Sequence, residues 1–491
     1  MDSLVAGESD VLDAVYYDSD DLSLLSHGIT FRRREGGADQ GWHLKLPGPD
    51  GSRAEIQLPL AGRTAAPPSE LLRRARVYAG GAELRPVAHV RTHRQRTLLL
   101  DAHGGTLAEV AADRVAARAL DPVTDASPVT GKAPRAEPQT ELTTWSETEV
   151  ELTDPGPADE GTILLDAVAE AFAAQGIHPS KSGAKLARAL GAPMPSPVLL
   201  RRDVSACGPT ADALVGALRR HTDRLLELDH CVRADAPDAV HQMRVTARRL
   251  RSLLKLQRHL SEPARLDPLA DELRWLGRLL GAHRDPQTLG ERLVPQAEAL
   301  PAAADPAATA ARVHAWSHRQ CADARQEILQ AMDSARYFTL MDALERTAAR
   351  PPLRPGHHYG RKAAHRLLRR ETRRVSRRFE AAERLPYGPD RDGALHRTRK
   401  AAKRARYSAE GLAPVLDKAE RRARHWKKVQ KHLGRHQDAV TAEQVLARLA
   451  HAPRTTSAAA FSYGILFARQ RLHADPDVAA AARVSRKAAK A

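Results

Sequence analysis

The chain has 491 residues, enough for two or three domains with cores of their own, and its formal net charge is +17. Its three cysteines, Cys207, Cys231 and Cys321, are far apart in the sequence, which argues against a disulfide framework or a zinc site. Because the first residues lack a signal-peptide pattern and no run of about 18 apolar residues predicts a transmembrane helix, we expect a soluble cytoplasmic protein without membrane contact.

Residues 1–191 form an acidic, mainly β part of the sequence. Residues 1–195 contain 20 Lys and Arg but 28 Asp and Glu, a net charge of −8. Alternating apolar and polar residues, interrupted by Gly and Pro turns, predict strands, and a helical periodicity follows them. The predicted strands lie within 28–60 and at 87–100, 107–110 and 143–153, a loop lies near 121–140, and the predicted helices lie at 162–176 and 180–190.

Beyond a Pro- and Ser-rich stretch over 192–209, which we interpret as a linker, the sequence is basic and helical. Residues 196–491 contain 57 Lys and Arg and 32 Asp and Glu, a net charge of +25, which attracts polyanions whatever the fold. Apolar residues three and four apart predict helices. These helices lie at about 211–232, 236–260, 266–281, 287–298, 307–331, 336–348, 357–382, 391–413, 418–433 and 439–451.

The helical part repeats itself. The pattern HxxRxxxRRxR begins at His241 and HxxRKxxKRxR begins at His396, and an LGxHxD motif follows each of them at offsets of 155 and 153 residues between the copies. Because the two motifs occur in the same order in both copies, the sequence predicts a duplicated all-α domain in which each copy has about four helices. The domain would cover 210–475, with repeats at about 210–350 and 356–475, followed by a basic tail over 476–491.

Each first motif places its cations on one side of a helix. At roughly 100° per residue, positions i, i+3, i+7 and i+10 lie within a stripe about 80° wide. Like charges on one stripe destabilise a helix, so a solvated surface and a site for a regularly charged anion are the two interpretations, and the repetition favours the second. The predicted binding residues are His241, Arg244, Arg248 and Arg251 in the first repeat and His396, Arg399, Lys400, Lys403 and Arg406 in the second.

The LGxHxD motifs also have two interpretations. In the interpretation that we prefer, the glycine ends one helix and the aspartate caps the next. In the other, His283 and His436 contact a ligand.

With these motifs, residues 210–475 resemble a CHAD domain, the conserved-histidine α-helical domain. The resemblance is carried by HQMRVTARRLRSLLKL, LRWLGRLLGAHRD, LHRTRKAAKRARYSAEGL and LGRHQDAV. It implies two pseudo-symmetric four-helix bundles around a basic channel that binds inorganic polyphosphate.

Residues 1–191 resemble a CYTH domain, the triphosphate tunnel fold, through VYYDSDDLSLLSHGITFRRREGG, GWHLKLPG, the strand of Glu55, VRTHRQRT, LAEVAADRV, WSETEVEL and SGAKLARAL. The resemblance implies an eight-stranded antiparallel β tunnel in which cations bind triphosphate and carboxylates bind Mg²⁺ or Mn²⁺. The implied phosphate-binding residues are Arg32, Arg34, Lys45, Arg91, Arg94 and Lys185, and the implied metal or base positions are Asp113, Glu147 and Glu149. Strand alternation independently places Arg32 beside Arg34 and Glu147 beside Glu149.

The chain departs from the CYTH pattern at the first strand of the tunnel. Residues 1–15 contain no ExExK motif, and His93 stands where the family more often has a basic residue. We therefore expect two metal-binding carboxylates, one phosphate-binding lysine and one barrel strand to be missing. A degenerate domain and a true start codon further upstream are both open explanations.

Three functions follow from these patterns. The first is polyphosphate binding in the cytoplasm or at polyphosphate granules, with a degenerate CYTH domain. The second is a metal-dependent inorganic triphosphatase, which the CHAD domain aids by capturing long polymers. The third is a charge-driven, non-specific association with nucleic acid, which the 4% of aromatic residues disfavours because stacking platforms are scarce.

Overall fold

The chain divides into two compact units, Met1–Leu200 and Arg201–Ala491, called unit 1 and unit 2 below. The computed structural model describes residues 3–47, 53–60, 66–101, 103–120, 142–153, 158–180, 185–191, 201–453 and 455–490. The loop predicted near 121–140 and residues 192–200 of the predicted linker lie outside the described residues.

Unit 1 contains one antiparallel sheet. Its described strands are β1 (Ser3–Asp18), β2 (Thr30–Glu35), β3 (Gly41–Pro47), β4 (Arg53–Leu58), β5 (Arg85–Leu100), β6 (Thr106–Ala119) and β7 (Thr143–Leu152). Their order in the sheet is β4-β3-β2-β1-β5-β6-β7. The predicted antiparallel sheet is confirmed, with seven described strands where the resemblance implied a tunnel of eight. Strand β1, which we had not predicted, lies in the middle and pairs with β2 and β5.

Strand alternation gives this sheet a charged face and an apolar face. On β2, Arg32 and Arg34 point to one face and Phe31 points to the other. Phe31 packs beside Trp42, with 5.7 Å between the ring centroids, and Trp42 packs beside Tyr17 at 5.2 Å. Burial of these rings anchors the strands, so Arg32 and Arg34 are held on the opposite face.

Unit 1 also contains four helices among its described residues. They are α1 (Ser23–Ser26), α2 (Ser69–Ala75), α3 (Ala158–Ala174) and α4 (Lys185–Ala189). Helix α4 packs against β5 and β6. Its buried Leu186 belongs to the same hydrophobic core as Val90 of β5 and Val115 of β6. This packing fixes the first residue of α4, Lys185, beside the sheet.

Unit 2 is helical, as predicted. Its helices are α5 (Pro209–Arg233), α6 (Ala239–Gln257), α7 (Pro263–Glu298), α8 (Pro306–Met332), α9 (Ala335–Ala349), α10 (Arg361–Glu383), α11 (Pro389–Gly411), α12 (Ala419–Ala450) and α13 (Ser457–Lys490). In the described part of the chain, none of these or the other helices combines the length and the apolar character that a bilayer crossing requires.

The order of helices in unit 2 repeats along the chain. Consecutive helices pack against each other within α5 to α8 and again within α10 to α13, and α9 packs against α5 and α7. Helix α6 also packs against α11, which brings the first motifs of the two repeats together. Leu214 of α5, Leu253 of α6 and Leu367 of α10 are buried in one hydrophobic core that both repeats share.

Three helices differ from the sequence prediction. Helices α7 and α12 are continuous where we predicted two helices each, because the LGxHxD motifs do not interrupt them. Helix α13 has no predicted counterpart and continues through residues 476–490, most of the predicted basic tail. Its sequence is rich in Ala and carries few large apolar residues, so its apolar periodicity is weak.

The packing of α7 against α8 leads to a test of the fold. A Cβ at Gly290 of α7 would lie 2.4 Å from Oγ of Ser317 in α8. We therefore expect Gly290→Ala to destabilise unit 2 by about 1–3 kcal/mol, as overpacked cores generally are. Urea unfolding, followed by the helical circular dichroism signal, measures the change.

Gly277 provides a matched control in the same helix. A Cβ there has no atom within 4 Å, so Gly277→Ala is expected to be neutral or to stabilise by up to about 1 kcal/mol. Equal unfolding midpoints for the two variants would contradict the described packing of α7 on α8.

Candidate functional site

A cavity of about 700 Å³ lies in unit 2 and is lined by residues of α6, α7, α10, α11 and α12. Both predicted stripes line it. The predicted residues at its wall are His241, Arg244, Arg248 and Arg251 of α6 and His396, Arg399, Lys400 and Lys403 of α11. The two repeats thus contribute equivalent helices to one site.

Arg406 is the predicted binding residue that does not line the cavity. Its Nε donates to Oε1 of Glu410 at 2.7 Å, and its guanidinium lies over the ring of Tyr407. Its Nη1 also donates to Oε1 of Gln430 in α12 at 3.4 Å, so the stripe on α11 that lines the cavity ends at Lys403.

The preferred interpretation of the LGxHxD motifs, a helix end followed by a cap, is wrong. Gly281 and Asp285 lie inside α7, and Gly434 and Asp438 lie inside α12. Each motif instead faces the first arginine of a stripe. Its glycine leaves room for the arginine side chain, and its aspartate attracts the guanidinium.

The first repeat shows this contact most clearly. A Cβ at Gly281 would lie 3.1 Å from Nη2 of Arg244. Arg244 Nη1 donates to Oδ1 of Asp285 at 2.6 Å and Nη2 donates to Oδ2 at 3.1 Å. The bidentate pair fixes the plane of the guanidinium.

The second repeat has a looser version of the same contact. Arg399 Nη2 lies 3.9 Å from Oδ1 of Asp438, and a Cβ at Gly434 would lie 3.5 Å from the guanidinium of Arg399. His436 points elsewhere, with Nε2 at 3.0 Å from Oδ1 of Asp392. Neither His436 nor His283 lines the cavity, so the structure does not bring them to the ligand site.

The sequence prediction missed several cations at the cavity wall. They are Lys255 of α6, Arg284 and Arg292 of α7, Arg374 and Arg378 of α10, and Arg404 of α11. Lys255 could have been found, because it continues the α6 stripe one turn beyond Arg251. The residues of α7 and α10 carried no such signal, since only tertiary packing brings those helices to the cavity.

Positive charge in this cavity is poorly balanced. Twelve Lys and Arg but only two acidic residues, Asp285 and Asp438, are among the described residues that line it. The Nε atoms of Arg248 and Arg399 are buried and have no hydrogen-bond partner in the described part of the protein. Buried donors without partners cost free energy, which an anionic ligand with several oxygen atoms would offset.

The lowered pKa values of two lysines also indicate that the cavity lacks negative charge. Burial, and then the neighbouring Arg399 and Arg248, hold the pKa of Lys403 well below its usual value. Burial together with Arg251 and Arg404 lowers the pKa of Lys255 to about 8. The cavity thus disfavours its own positive charge until a counter-charge enters.

The pKa values of the two imidazoles at the cavity wall are lowered for the same reasons. Burial and nearby cations lower the pKa of His241 and that of His396. Both side chains are therefore mostly neutral at pH 7 in the free protein and can gain a proton when an anion binds.

Unit 1 has a smaller cavity of about 150 Å³ on the charged face of its sheet. Of the residues implied by the resemblance, those that line it are Arg32, Arg34, Lys45, Arg94, Lys185 and Glu149. Tyr16, Asp39, Glu55, Thr92 and Glu151 also line it.

Arg91 does not reach this cavity. It is exposed, as is His93, whereas Thr92 is buried and Arg94 points inward. Residues an odd number apart lie on opposite faces of a strand, so Arg91 and Arg94 cannot share a site. This spacing is visible in the sequence and excludes the shared role that the resemblance implied for them.

Two of the implied metal-binding carboxylates, Asp113 and Glu147, lie in one row across the sheet of unit 1, and Glu149 follows on the same face of β7. Arg94 of β5 stands opposite Asp113 of β6, and Asp113 stands opposite Glu147 of β7. Arg94 donates to both carboxylate oxygens of Asp113, at 2.9 and 2.8 Å, and to Oε2 of Glu149 at 2.7 Å. The acidic row therefore has a counter-ion within the sheet.

Lys185 adds a second counter-ion. Its Nζ lies 2.9 Å from Oδ2 of Asp113 and 2.8 Å from an oxygen of Glu147 and of Glu149. Burial opposes the charge of Lys185, but Glu149 and the other two carboxylates raise its pKa. Burial raises the pKa of Asp113 and of Glu149, yet Arg94 and Lys185 outweigh it and bring both pKa values below their usual range.

The three carboxylates fit a divalent metal as a set of ligands. Oxygen atoms of Asp113, Glu147 and Glu149 lie within 4.8 Å of one another, and Mg²⁺ and Mn²⁺ prefer such oxygen ligands. The ammonium group of Lys185 stands among the same oxygens. A metal ion at this place would therefore have to displace Lys185.

The other half of the cavity is cationic. Burial, with Arg32 and Arg94 nearby, lowers the pKa of Arg34 to about 10. Lys45 Nζ lies 3.3 Å from Oε2 of Glu55. The hydrogen bond with His43 lowers the pKa of Glu55 to about 2, so this carboxylate stays ionised and offsets part of the charge.

Comparisons with known proteins agree with the two-part architecture. A family model of the CYTH domain matches residues 4–187, and one of the CHAD domain matches residues 216–447. Two uncharacterized proteins of Mycobacterium tuberculosis, from the strains CDC 1551 and H37Rv, are each 37% identical to this chain over 464 residues. These alignments cover 94% of this chain and 86% of each relative.

Solved structures similar to this chain include PptA from Streptomyces chartreusis, which is 24% identical, with a TM-score of 0.49, over 56% of this chain and 99% of that one. The CHAD domain from the plant Ricinus communis is 26% identical, with a TM-score of 0.46, over 57% of this chain and 92% of that one. From the family models and the relatives of nearly equal length, the chain belongs to the family of proteins in which a CYTH domain is followed by a CHAD domain.

Proposed function

We propose that unit 2 binds inorganic polyphosphate in the cavity between the two repeats. The observation that carries the proposal is the convergence of both stripes on one cavity with twelve Lys and Arg and two acidic residues. Arginine forks bind phosphate oxygens in pairs, and lysine adds a compact charge. A polymer with one negative charge in every unit matches such a wall better than a single small anion does.

The composition of the wall favours bare phosphate over nucleic acid. Tyr407 is the one Phe, Tyr or Trp among the described residues that line the cavity. Proteins that hold single-stranded nucleic acid usually stack bases on several aromatic side chains. Polyphosphate has no bases, so it needs cations alone.

The proposal assigns this role to a CHAD domain over 210–475, joined through a linker over 192–209 to a CYTH domain over 1–191. The family-model matches lie inside these bounds, at 216–447 and 4–187. We place the protein in the cytoplasm or at polyphosphate granules, where its ligand would be found.

A metal-dependent triphosphatase is the second candidate function, located in unit 1. Arg32, Arg34 and Arg94 line the same small cavity as Glu149, so phosphate-binding and carboxylate groups stand together. When bound to Asp113, Glu147 and Glu149, Mg²⁺ or Mn²⁺ would neutralise phosphate charge and activate water. Phosphate release from tripolyphosphate in the presence of MgCl₂ would support this function, and its absence would leave unit 1 as a binding domain.

The binding proposal is tested by removing one central cation from each repeat. We expect Arg248→Met with Lys403→Met to weaken the binding of long-chain polyphosphate at least about tenfold, because hydrogen bonds to charged groups contribute about 1.5–3 kcal/mol each. Fluorescence anisotropy at physiological salt measures the affinity. The unfolding midpoint should stay or rise, since repulsion between buried cations is relieved.

Arg319→Met with Arg350→Met is the charge-matched control, because both arginines are exposed and neither lines the cavity. A loss of affinity equal to that of the cavity variant would show that net charge alone binds the polymer. That outcome would contradict a specific cavity.

Binding should also take up protons. The polyanion favours the charged forms of Lys403, Lys255, His241 and His396, whose pKa values lie below their usual values in the free protein. Affinity should therefore rise as the pH falls from about 9 towards 7, the window in which Lys255 with its pKa of about 8 is titrated.

Calorimetry at pH 8 in Tris and in HEPES measures this uptake, because the two buffers release protons with different enthalpies. The binding enthalpy should depend on the buffer, and the dependence should decrease in Lys255→Met. Identical enthalpies in both buffers would contradict the coupling of binding to protonation.

Lys185→Met tests whether the lysine competes with a metal ion. Lys185 is the cation that contacts all three carboxylates, so without its ammonium group titration with MnCl₂ should show tighter binding than in the unchanged protein. Arg188→Met is the control, because it also removes one cation near Glu147, but one that lies farther away, at 3.6 Å, and is more exposed than Lys185. If Mn²⁺ affinity is the same in all three proteins, Lys185 does not occupy the metal position.

A further inference from the structure

Helix α10 carries an arginine surface that the two repeats do not share. It contains nine Lys and Arg and three Glu, whereas the equivalent helix of the first repeat, α5, contains four Arg and four Asp and Glu. The apolar sides of both helices are buried in the domain. The packing of the duplicated fold therefore does not explain the high positive charge of α10. A role in binding an anion would explain it.

Five arginines of α10 form what we call the α10 ridge: Arg366, Arg369, Arg370, Arg373 and Arg377. All five are exposed. In the part of the chain that the structure describes, none of them has an ion pair. The acidic residue in the middle of the helix, Glu371, is buried and pairs with Arg404 of α11 instead.

The ridge arginines, together with Arg374 and Arg378, line an open groove of about 830 Å³. From Arg366 to Arg378 the helix rises by roughly 18 Å, at about 1.5 Å per residue. Unpaired like charges one turn apart destabilise the helix that carries them. An anionic chain along the groove would remove this repulsion.

The groove and the cavity between the repeats share part of their walls. Arg374 and Arg378 line both. Arg374 and Arg404 also line a third depression, of about 630 Å³, between α10 and the end of α6. The cations at the edge of the cavity are therefore also the cations at the edge of the groove.

We propose that the α10 ridge is a second phosphate-chain site, on which a polyphosphate longer than the cavity continues from Arg374 and Arg378 along the exposed side of α10. The inference rests on the proposed function of the cavity and adds to it a preference for long chains. A single flexible phosphate chain can follow the path from an enclosed cavity to an open groove. A nucleic-acid duplex, whose major groove alone is about 12 Å wide, cannot enter the cavity and would touch the ridge only from outside.

The test compares a short and a long ligand in the full-length protein. The ridge variant is Arg369→Gln, Arg373→Gln and Arg377→Gln, which leaves Arg374 and Arg378 in place. The control variant is Arg319→Gln, Arg350→Gln and Lys427→Gln, three exposed cations that line neither the cavity nor the groove. The probes are tripolyphosphate, long-chain polyphosphate and duplex DNA, each titrated at several salt concentrations.

The ridge variant should bind tripolyphosphate like the unchanged protein but should bind long-chain polyphosphate more weakly. The slope of log affinity against log salt for the long chain should fall by about 2, because each contact with a single-stranded polyanion contributes about 0.7 to it. The control variant should keep both the affinity and the slope. Circular dichroism verifies that α10 stays folded, since Gln is also a good helix former.

The outcomes separate the two proposals. If the unchanged protein binds neither tripolyphosphate nor long-chain polyphosphate, the proposed function is wrong, and the ridge inference is wrong as well. If it binds long chains but the ridge and control variants behave alike, only the ridge inference is wrong. If the ridge variant loses affinity for duplex DNA and keeps it for long-chain polyphosphate, the ridge binds nucleic acid, which also overturns the inference.

Discussion

Unbalanced positive charge between α6 and α11 is the constraint on which the rest of unit 2 depends. Cations from two helices face one cavity, where burial and mutual repulsion lower the pKa values of Lys403 and Lys255. Such an arrangement opposes folding, so the surrounding helices must hold it in place. The shared hydrophobic core of α5, α6 and α10, together with the pairing of Arg244 and Asp285, supplies this support.

The two units differ in how their charged side chains are balanced. In unit 1, Arg94 and Lys185 lie within 3 Å of Asp113 and Glu149, so the charged face of the sheet largely neutralises itself. In unit 2, the wall of the cavity has far more cations than acidic residues. A ligand therefore has to displace internal partners in unit 1, whereas in unit 2 it supplies a missing counter-charge. This difference is why the binding proposal is located in unit 2.

The LGxHxD motifs show how a correct pattern can be given a wrong structural meaning. Glycine and aspartate are common at helix ends, and local preferences therefore favoured a cap. In the structure, the helix continues because Gly281 leaves room for Arg244 and Asp285 binds it. Only the partner helix reveals that contact. The repetition of the motif was informative, but its role depended on residues more than thirty positions away in the sequence.

The sequence alone determined the division into a β part and a helical part, the duplication, and eight residues that line the cavity in unit 2, and only one predicted binding residue, Arg406, lies outside that cavity. Periodicity and charge are local properties, so they can be recognised in the sequence without knowledge of the packing. Tertiary structure alone decided that α7 and α10 bring Arg284, Arg292, Arg374 and Arg378 to the same cavity. It also decided that Lys185 stands among the carboxylates of unit 1. These contacts join residues that are distant in the chain, and no local pattern encodes which helices meet.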